Sequence, residues 1–343
     1  MTYEGLCMKV WHALIWSLGA LCAPGLSAAQ SATTDAIEDA RFVTLGGIEQ
    51  WITIRGKNSQ APVMLWVHGG PTNVQSPFVS VYEPWTEQFT LVQWDQRGAG
   101  KTYHKNAGAP EAVSLEQIAR DGIELVEYLQ KRLSARKIIL AGHSWGSLVG
   151  VEMVRQRPEL FDAFIGAGQV NSWRDTVKWQ YEYALAKARA AGDTAVVEEL
   201  EKSGLPPHDD GIKYFSMRRR FSAYLPKVDS DWIAGEQNLY ASEPGVTPDV
   251  LKAYAAAGAF SSARLMPVIM GTDLDANTPE LSTRLCVIQG ELDTFTPTPI
   301  ARAFYDQVRA PKKYFGIIPG AGHFAAMTHT EEFLKEVAQC LAK

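Results

Sequence analysis

The sequence has little cysteine, no surplus of positive charge and no apolar run long enough to span a bilayer with ease. Its 4 cysteines in 343 residues exclude a small disulfide framework as the main source of stability. Lysine and arginine number 33 against 38 aspartates and glutamates, a formal net charge of −5. No global basic field is therefore available to hold nucleic acid or an anionic membrane surface. The one basic cluster, MRRR at 217–220, reads as a solvated helix face. No cluster with metal-ligand spacing is present, and neither low-complexity tracts nor internal repeats interrupt the chain. What remains is ordinary globular composition, 46% hydrophobic and 21% charged, long enough for one large α/β domain or a domain carrying an insertion.

Residues 1–29 read as a signal peptide. The stretch VWHALIWSLGALCAPGLSAA is apolar, broken by Pro24 and Gly25, and ends in small residues that suit cleavage after Ala29. Its positive flank is Lys9 alone with Glu4 ahead of it, so the start stays open between Met1 and Met8. Export to the periplasm or beyond is expected, with no stable membrane insertion after cleavage; an uncleaved anchor is the competing reading. A lipoprotein attached at Cys22 fits poorly, because Leu21 stands where a small residue is preferred. Cleavage also removes Cys7 and leaves Cys286 and Cys340. The first falls in a predicted buried strand and the second ends the last predicted helix, whose end returns toward the strand's beginning. A disulfide between them and two buried free thiols both remain open.

Along the chain, RFVTLGG and IEQWITIRG read as a hairpin turning at Gly46 and Gly47. APVMLWVHGG and FTLVQWDQRG are nearly unbroken apolar runs, the pattern of strands buried on both faces. A helix follows after a cap at Ser114, then strand, tight turn and helix in KIILAGHSWGSLVGVEMV, then the strand FDAFIGAGQ. From 170 to 275 strand patterns cease, and helical segments rich in Trp, Tyr and Phe take over, beginning with a hairpin that turns at 191–193. Strand and helix alternation returns from 276 to 343. The prediction is an α/β core over 40–169 and 276–343, with a mostly parallel sheet and a helical cap inserted at 170–275.

The segment DQRGAGKTY at 95–103 looks like a phosphate-binding loop, yet that motif needs a glycine where Asp95 stands, and a carboxylate there would repel phosphate. A better-placed motif is GHSWG at 142–146, between a predicted strand and helix. A turn this sharp demands small flanking residues and lifts the Ser144 hydroxyl clear of the sheet. A serine needs a base, and the base needs an acid, in the chain order Ser, Asp or Glu, His. Asp293 in GELD and His323 in GAGHF each follow a predicted strand, at the edge where open parallel sheets place their sites. Glu291 is the competing acid and His329 the competing base, while His143 reads as a packing residue. The backbone N–H of Trp145, after the serine, and that of Gly70 or Gly69 in the HGGP loop would receive a developing oxyanion.

HGGP, WDQRGAGKT, GHSWGS, GELD and GAGHF, in this order, make the chain from about residue 40 onward resemble the proline iminopeptidase family of α/β-hydrolases. The resemblance implies an α/β-hydrolase fold with a helical cap. It also implies that the Asp-Gln-Arg-Gly segment is a loop beside the active site, held by Asp95 and Arg97. Two positions depart from the family pattern: Thr72 follows the HGGP proline where glycine is usual, and His143 replaces a glycine in the serine turn. Family aminopeptidases grip the substrate's free amine with cap carboxylates, for which Glu182, Glu236 and Glu243 are candidates. Trp173, Trp179, Tyr214 and Phe221 are candidate walls of an apolar acyl pocket, or simply the residues that glue a cap to a sheet.

The sequence thus predicts an exported serine hydrolase working through Ser144, His323 and Asp293 on a small-molecule or short-peptide substrate, with no metal or organic cofactor. An aminopeptidase is the first expectation. An esterase or amidase for a hydrophobic small molecule is the second, and a slow, ligand-binding relative the third. A dehalogenase or epoxide hydrolase is disfavoured, since those carry a carboxylate where Ser144 stands. Oligomeric state stays open.

Overall fold

The computed structural model describes residues 35–106, 112–242, 246–274, 276 and 280–343. Residues 1–29, expected to be a signal peptide, and Glu243 lie outside the described residues. An eight-stranded sheet runs in the order β1-β2-β4-β3-β5-β6-β7-β8. Strands β1 (Ile37–Leu45) and β2 (Ile48–Gly56) form an antiparallel hairpin. Its two turn residues, Gly46 and Gly47, have φ of 53° and 79°, the left-handed pair that a two-residue turn between right-twisted strands requires. Strand β2 pairs antiparallel with β4 (Thr90–Trp94). All remaining neighbours are parallel: β4 with β3 (Val63–Val67), then β5 (Ile138–His143), β6 (Phe161–Ala167), β7 (Arg284–Gly290) and β8 (Lys313–Ile318).

Every residue of β3, β4 and β5 is buried. Because successive side chains point to opposite faces, Leu65 and Val67 join one half of the core while Met64 and Trp66 join the other. Helices cover both faces: α1 (Val79–Thr86), α2 (Gly100–Lys105), α3 (Leu115–Leu133) and α4 (Trp145–Gln156) come before the cap. Ser114 caps α3 by accepting from the Gln117 N–H, a contact worth about 1 kcal/mol. Helix α1 escapes prediction because Pro77 and Pro84 break its pattern. It is held by tertiary packing instead, with the Tyr82 ring tilted against Trp66 and the Trp85 ring meeting Trp66 edge to face.

Between β6 and β7 lie α5 (Trp173–Ala190), α6 (Thr194–Ser203), α7 (Gly211–Phe221), α8 (Ser230–Ser242) and α9 (Pro248–Met270). They carry a small core of their own around Ala184, Leu200, Phe221 and Leu225. The chain closes with α10 (Thr298–Gln307), α11 (Ala325–Thr328) and α12 (Thr330–Ala342). Cys286 on β7 and Cys340 on α12 are both fully buried and joined as a disulfide, their α-carbons 6.2 Å apart.

Candidate active site

The carboxyl ends of β5, β7 and β8 converge beneath the helical insertion. At the end of β5, Ser144 has φ 52° and ψ −118°, a backbone state that a non-glycine residue adopts only when its surroundings enforce it. Those surroundings explain its two glycines. A β-carbon at Gly142 would run into the carbonyl of Gly146, and one at Gly146 into the carbonyl of Val67. The turn is pinned further by Ser144 N–H donating to Ala167 O at 2.9 Å and by Ser147 Oγ donating to Ser144 O at 2.6 Å.

Asp293 lies in the loop after β7 and is 1% exposed. Four donors converge on its carboxylate: the Phe295 and Thr296 N–H groups and the Thr296 hydroxyl, each at 2.8 Å, and His323 Nδ1, also at 2.8 Å. Burying a carboxylate is tolerable only with partners of this kind. Donation from Nδ1 leaves Nε2 of His323 as the free, basic edge of the ring. The imidazole sits against Gly168, where a β-carbon would come within 3.0 Å of its Cε1. Gly168 adjoins Ala167, the acceptor for Ser144, so Ser144 and the His323–Asp293 pair share one corner of the fold.

His323 is also gripped through its backbone. Asp229, in the segment leading into α8, accepts its N–H at 2.9 Å and that of Phe324 at 3.3 Å. From below, His143 Nε2–H donates to the His323 carbonyl at 3.0 Å, so the residue read as packing also positions. Burial lowers the His143 imidazole to about 3, which keeps it neutral and able to donate from that one nitrogen. Burial likewise raises the Asp229 carboxyl above its ordinary range, against the pull of its N–H partners.

The HGGP loop packs on the serine turn, since a β-carbon at Gly69 would stand 3.2 Å from Ser144 Cβ. Gly70 has φ 33°. Gln96 clamps this arrangement: its side chain donates to His68 O at 3.0 Å and accepts from the Trp145 indole at 3.0 Å. The phosphate-loop look-alike therefore serves another purpose. Asp95 accepts from Ser76 Oγ at 2.6 Å and the Lys101 N–H at 2.9 Å, and Arg97 pairs with buried Asp121 at 2.7 Å. Burial raises Asp95 to about 6.

Above Ser144 lies a cavity of about 240 Å³, lined by Gly70, Trp145, Trp173 and Tyr214 among the expected residues, and also by Leu148, Phe215, Met266 and Phe295. Trp179 and Phe221 are not part of its lining. Trp179 stacks on Tyr183 with centroids 4.9 Å apart, and Phe221 fills the core of the cap. Glu236 stands outside the lining too, where Asn73, a neighbour of Gly70, donates to it at 3.2 Å. Burial raises its carboxyl to about 7. Glu182 faces Lys178 on the surface, Glu291 accepts from the Gly320 N–H, and His329 starts α12. Among the described residues, no group of three or more His, Cys, Asp and Glu could hold a metal ion.

Thr296, Gln96 and Asp229 escaped the sequence analysis. Thr296 carried a faint signal, three residues beyond Asp293 in a turn-rich stretch. Asp229 carried no local signal, being 94 residues away in sequence from the His323 N–H it accepts.

A family model described as the alpha/beta hydrolase fold matches residues 62–330. The chain is 26% identical over 296 residues to a probable aminopeptidase of Bacillus subtilis, covering 84% of this chain and 91% of that protein. Among solved structures it is similar to a proline iminopeptidase-related protein of Thermus thermophilus, with a TM-score of 0.59 and 18% identity over 89% of this chain and 98% of that one. It is similar as well to a thermophilic esterase of Thermogutta terrifontis, with a TM-score of 0.55 and 18% identity over 89% and 98%.

Proposed function

The chain belongs to the α/β-hydrolase family and is a hydrolase, and from that premise we propose that Ser144 is its nucleophile, His323 its general base and Asp293 the acid that orients His323. The observation that carries this reading is the Asp293–His323 hydrogen bond of 2.8 Å, delivered by two strand ends to the corner that holds the positive-φ serine. Ser144 attacks an acyl carbonyl while His323 Nε2 takes its proton. The backbone N–H groups of Trp145 and Gly70 receive the developing oxyanion. His323 then protonates the leaving group, and water, activated by the same ring, hydrolyses the acyl-enzyme.

The substrate in this proposal is a short peptide or peptide-like amide, cleaved after its N-terminal residue. The resemblance to a probable aminopeptidase over most of both chains supports it. Glu236, poised beside the Gly70 loop through Asn73, is the carboxylate offered to the amine. A second reading, an esterase or amidase indifferent to the amine, is favoured by the cavity lining, which contains no Asp or Glu among the described residues. Export to the periplasm or beyond, with removal of residues 1–29, completes the proposal; the buried disulfide supports it, since such bonds persist in oxidising compartments.

Three substrates test these readings on the mature protein and on Ser144→Ala: a proline arylamide, its N-acylated form and a short-chain aryl ester. Ser144→Ala is expected to lose at least about a thousandfold in kcat/KM on all of them. Cleavage confined to the free-amine arylamide establishes the aminopeptidase. Equal turnover with and without the amine establishes the second reading, and substantial hydrolysis by Ser144→Ala overturns the triad.

A further inference from the structure

The basic cluster at 217–220 does not form one solvated face. Helix α7 turns about 100° per residue, and this splits the cluster. Met217 is buried, Arg219 and Arg220 are exposed, and half-buried Arg218 faces the cavity above Ser144. Arg220 has a partner in Glu199 at 3.2 Å. Arg218 has no carboxylate within ion-pair distance among the described residues; its neighbours are the Phe295 ring, 5.1 Å away, and the Tyr214 hydroxyl.

Among the described residues that line the cavity, Arg218 is also the sole charged side chain, and aliphatic and aromatic groups predominate. It is shared with a second, adjoining opening whose other charged residues are Lys227 and Asp229. The Asp229 carboxylate is already committed to the His323 and Phe324 N–H groups. A guanidinium stays charged at any physiological pH, and a partly desolvated cation without a counter-charge gains from a carboxylate that arrives with the ligand.

We propose that Arg218 is the specificity-determining residue of this site and that the substrate carries a carboxylate, which Arg218 binds while the apolar part of the molecule fills the cavity over Ser144. This rests on the reading of Ser144 as nucleophile and not on recognition of an amine. The carboxylate has two possible sources, the free C-terminus of a short peptide on the leaving-group side or the far end of a dicarboxylic acyl chain. Both present the same planar anion to the same fork of donors.

Two matched pairs separate the sources: Pro-Phe against Pro-Phe amide, and the p-nitrophenyl monoester of glutaric acid against its methyl diester. For the wild-type protein, kcat/KM is expected to favour the acid by about tenfold to a hundredfold in one pair. Arg218→Gln should bring that ratio close to one by costing the acid substrate far more than the neutral one, and Arg218→Lys should restore part of it. A ratio near or below one in both pairs, or a preference that survives in Arg218→Gln, overturns the proposal. Calorimetric binding of both pairs to Ser144→Ala, with and without Arg218→Gln, reads the same preference without turnover. Hydrolysis by Ser144→Ala would then defeat the assignment of the nucleophile, whereas equal binding of acid and neutral partners to Ser144→Ala with Arg218 intact would defeat Arg218.

Discussion

At the scale of single residues, the site is a set of groups held where they would not rest unaided. Ser144 keeps a positive φ because glycines on either side let two carbonyls approach. His323 is fixed at ring, N–H and carbonyl by Asp293, Asp229 and His143 respectively. Glu236 supplies a pH-dependent prediction. Burial raises it to about 7, so it is mostly neutral at pH 6 and becomes charged as the pH climbs past 7. If it holds an ammonium group, kcat/KM for the free-amine arylamide, divided by that for the neutral ester, rises by roughly thirtyfold between pH 5.5 and 8. Glu236→Gln should flatten this ratio. A ratio that does not change with pH in the wild-type protein removes Glu236 from substrate recognition.

Between elements, the notable link joins the cap to the loop that carries His323. Asp229 belongs to the segment before α8, yet its carboxylate accepts from backbone groups that follow β8, and a β-carbon at Gly322 would collide with it. Cap and His323 are therefore positioned together. Asp229→Ala leaves two buried N–H groups unmet, with an expected cost of about 2–4 kcal/mol in urea unfolding. It should also lower kcat by about tenfold or more through a displaced His323, while Asp229→Asn, which keeps one acceptor oxygen, recovers part of both. Unfolding that shifts while kcat stays constant would leave Asp229 as a brace for the cap with no hold on the base. At this scale the sequence is uneven as a guide. Apolar runs disclose the strands and a serine cap discloses α3, but α1 hides behind two prolines, and MRRR reads as one face when helical rotation makes it three.

For the molecule as a whole, the Cys286–Cys340 pair ties the last helix to the sheet across a sequence separation of 54. Closing a loop of that length restricts the unfolded chain by an amount worth about 4 kcal/mol in the chain-entropy treatment. Cys286→Ser/Cys340→Ser is expected to lose about 2–4 kcal/mol in denaturant unfolding. The protein produced without residues 1–29 in an oxidising compartment, then unfolded without reductant, should show no free thiol. Two titratable thiols in that sample would mean that the cysteines are reduced in the native protein.

The sequence by itself determined the alternation of strand and helix, the all-helical interval between two strands, and the positions of Ser144, Asp293 and His323 at strand ends. Those features are written locally, in runs of apolar residues and in glycines that a sharp turn cannot do without. Tertiary structure alone decided which cap residues meet the cavity. Trp173 and Tyr214 do so, while Trp179 and Phe221 do not. It also decided that Asp229 reaches His323 and that Arg218 turns inward. Helical rotation and the docking of α5–α9 over the sheet set such contacts, and these depend on packing between segments far apart in the chain, which no local pattern records.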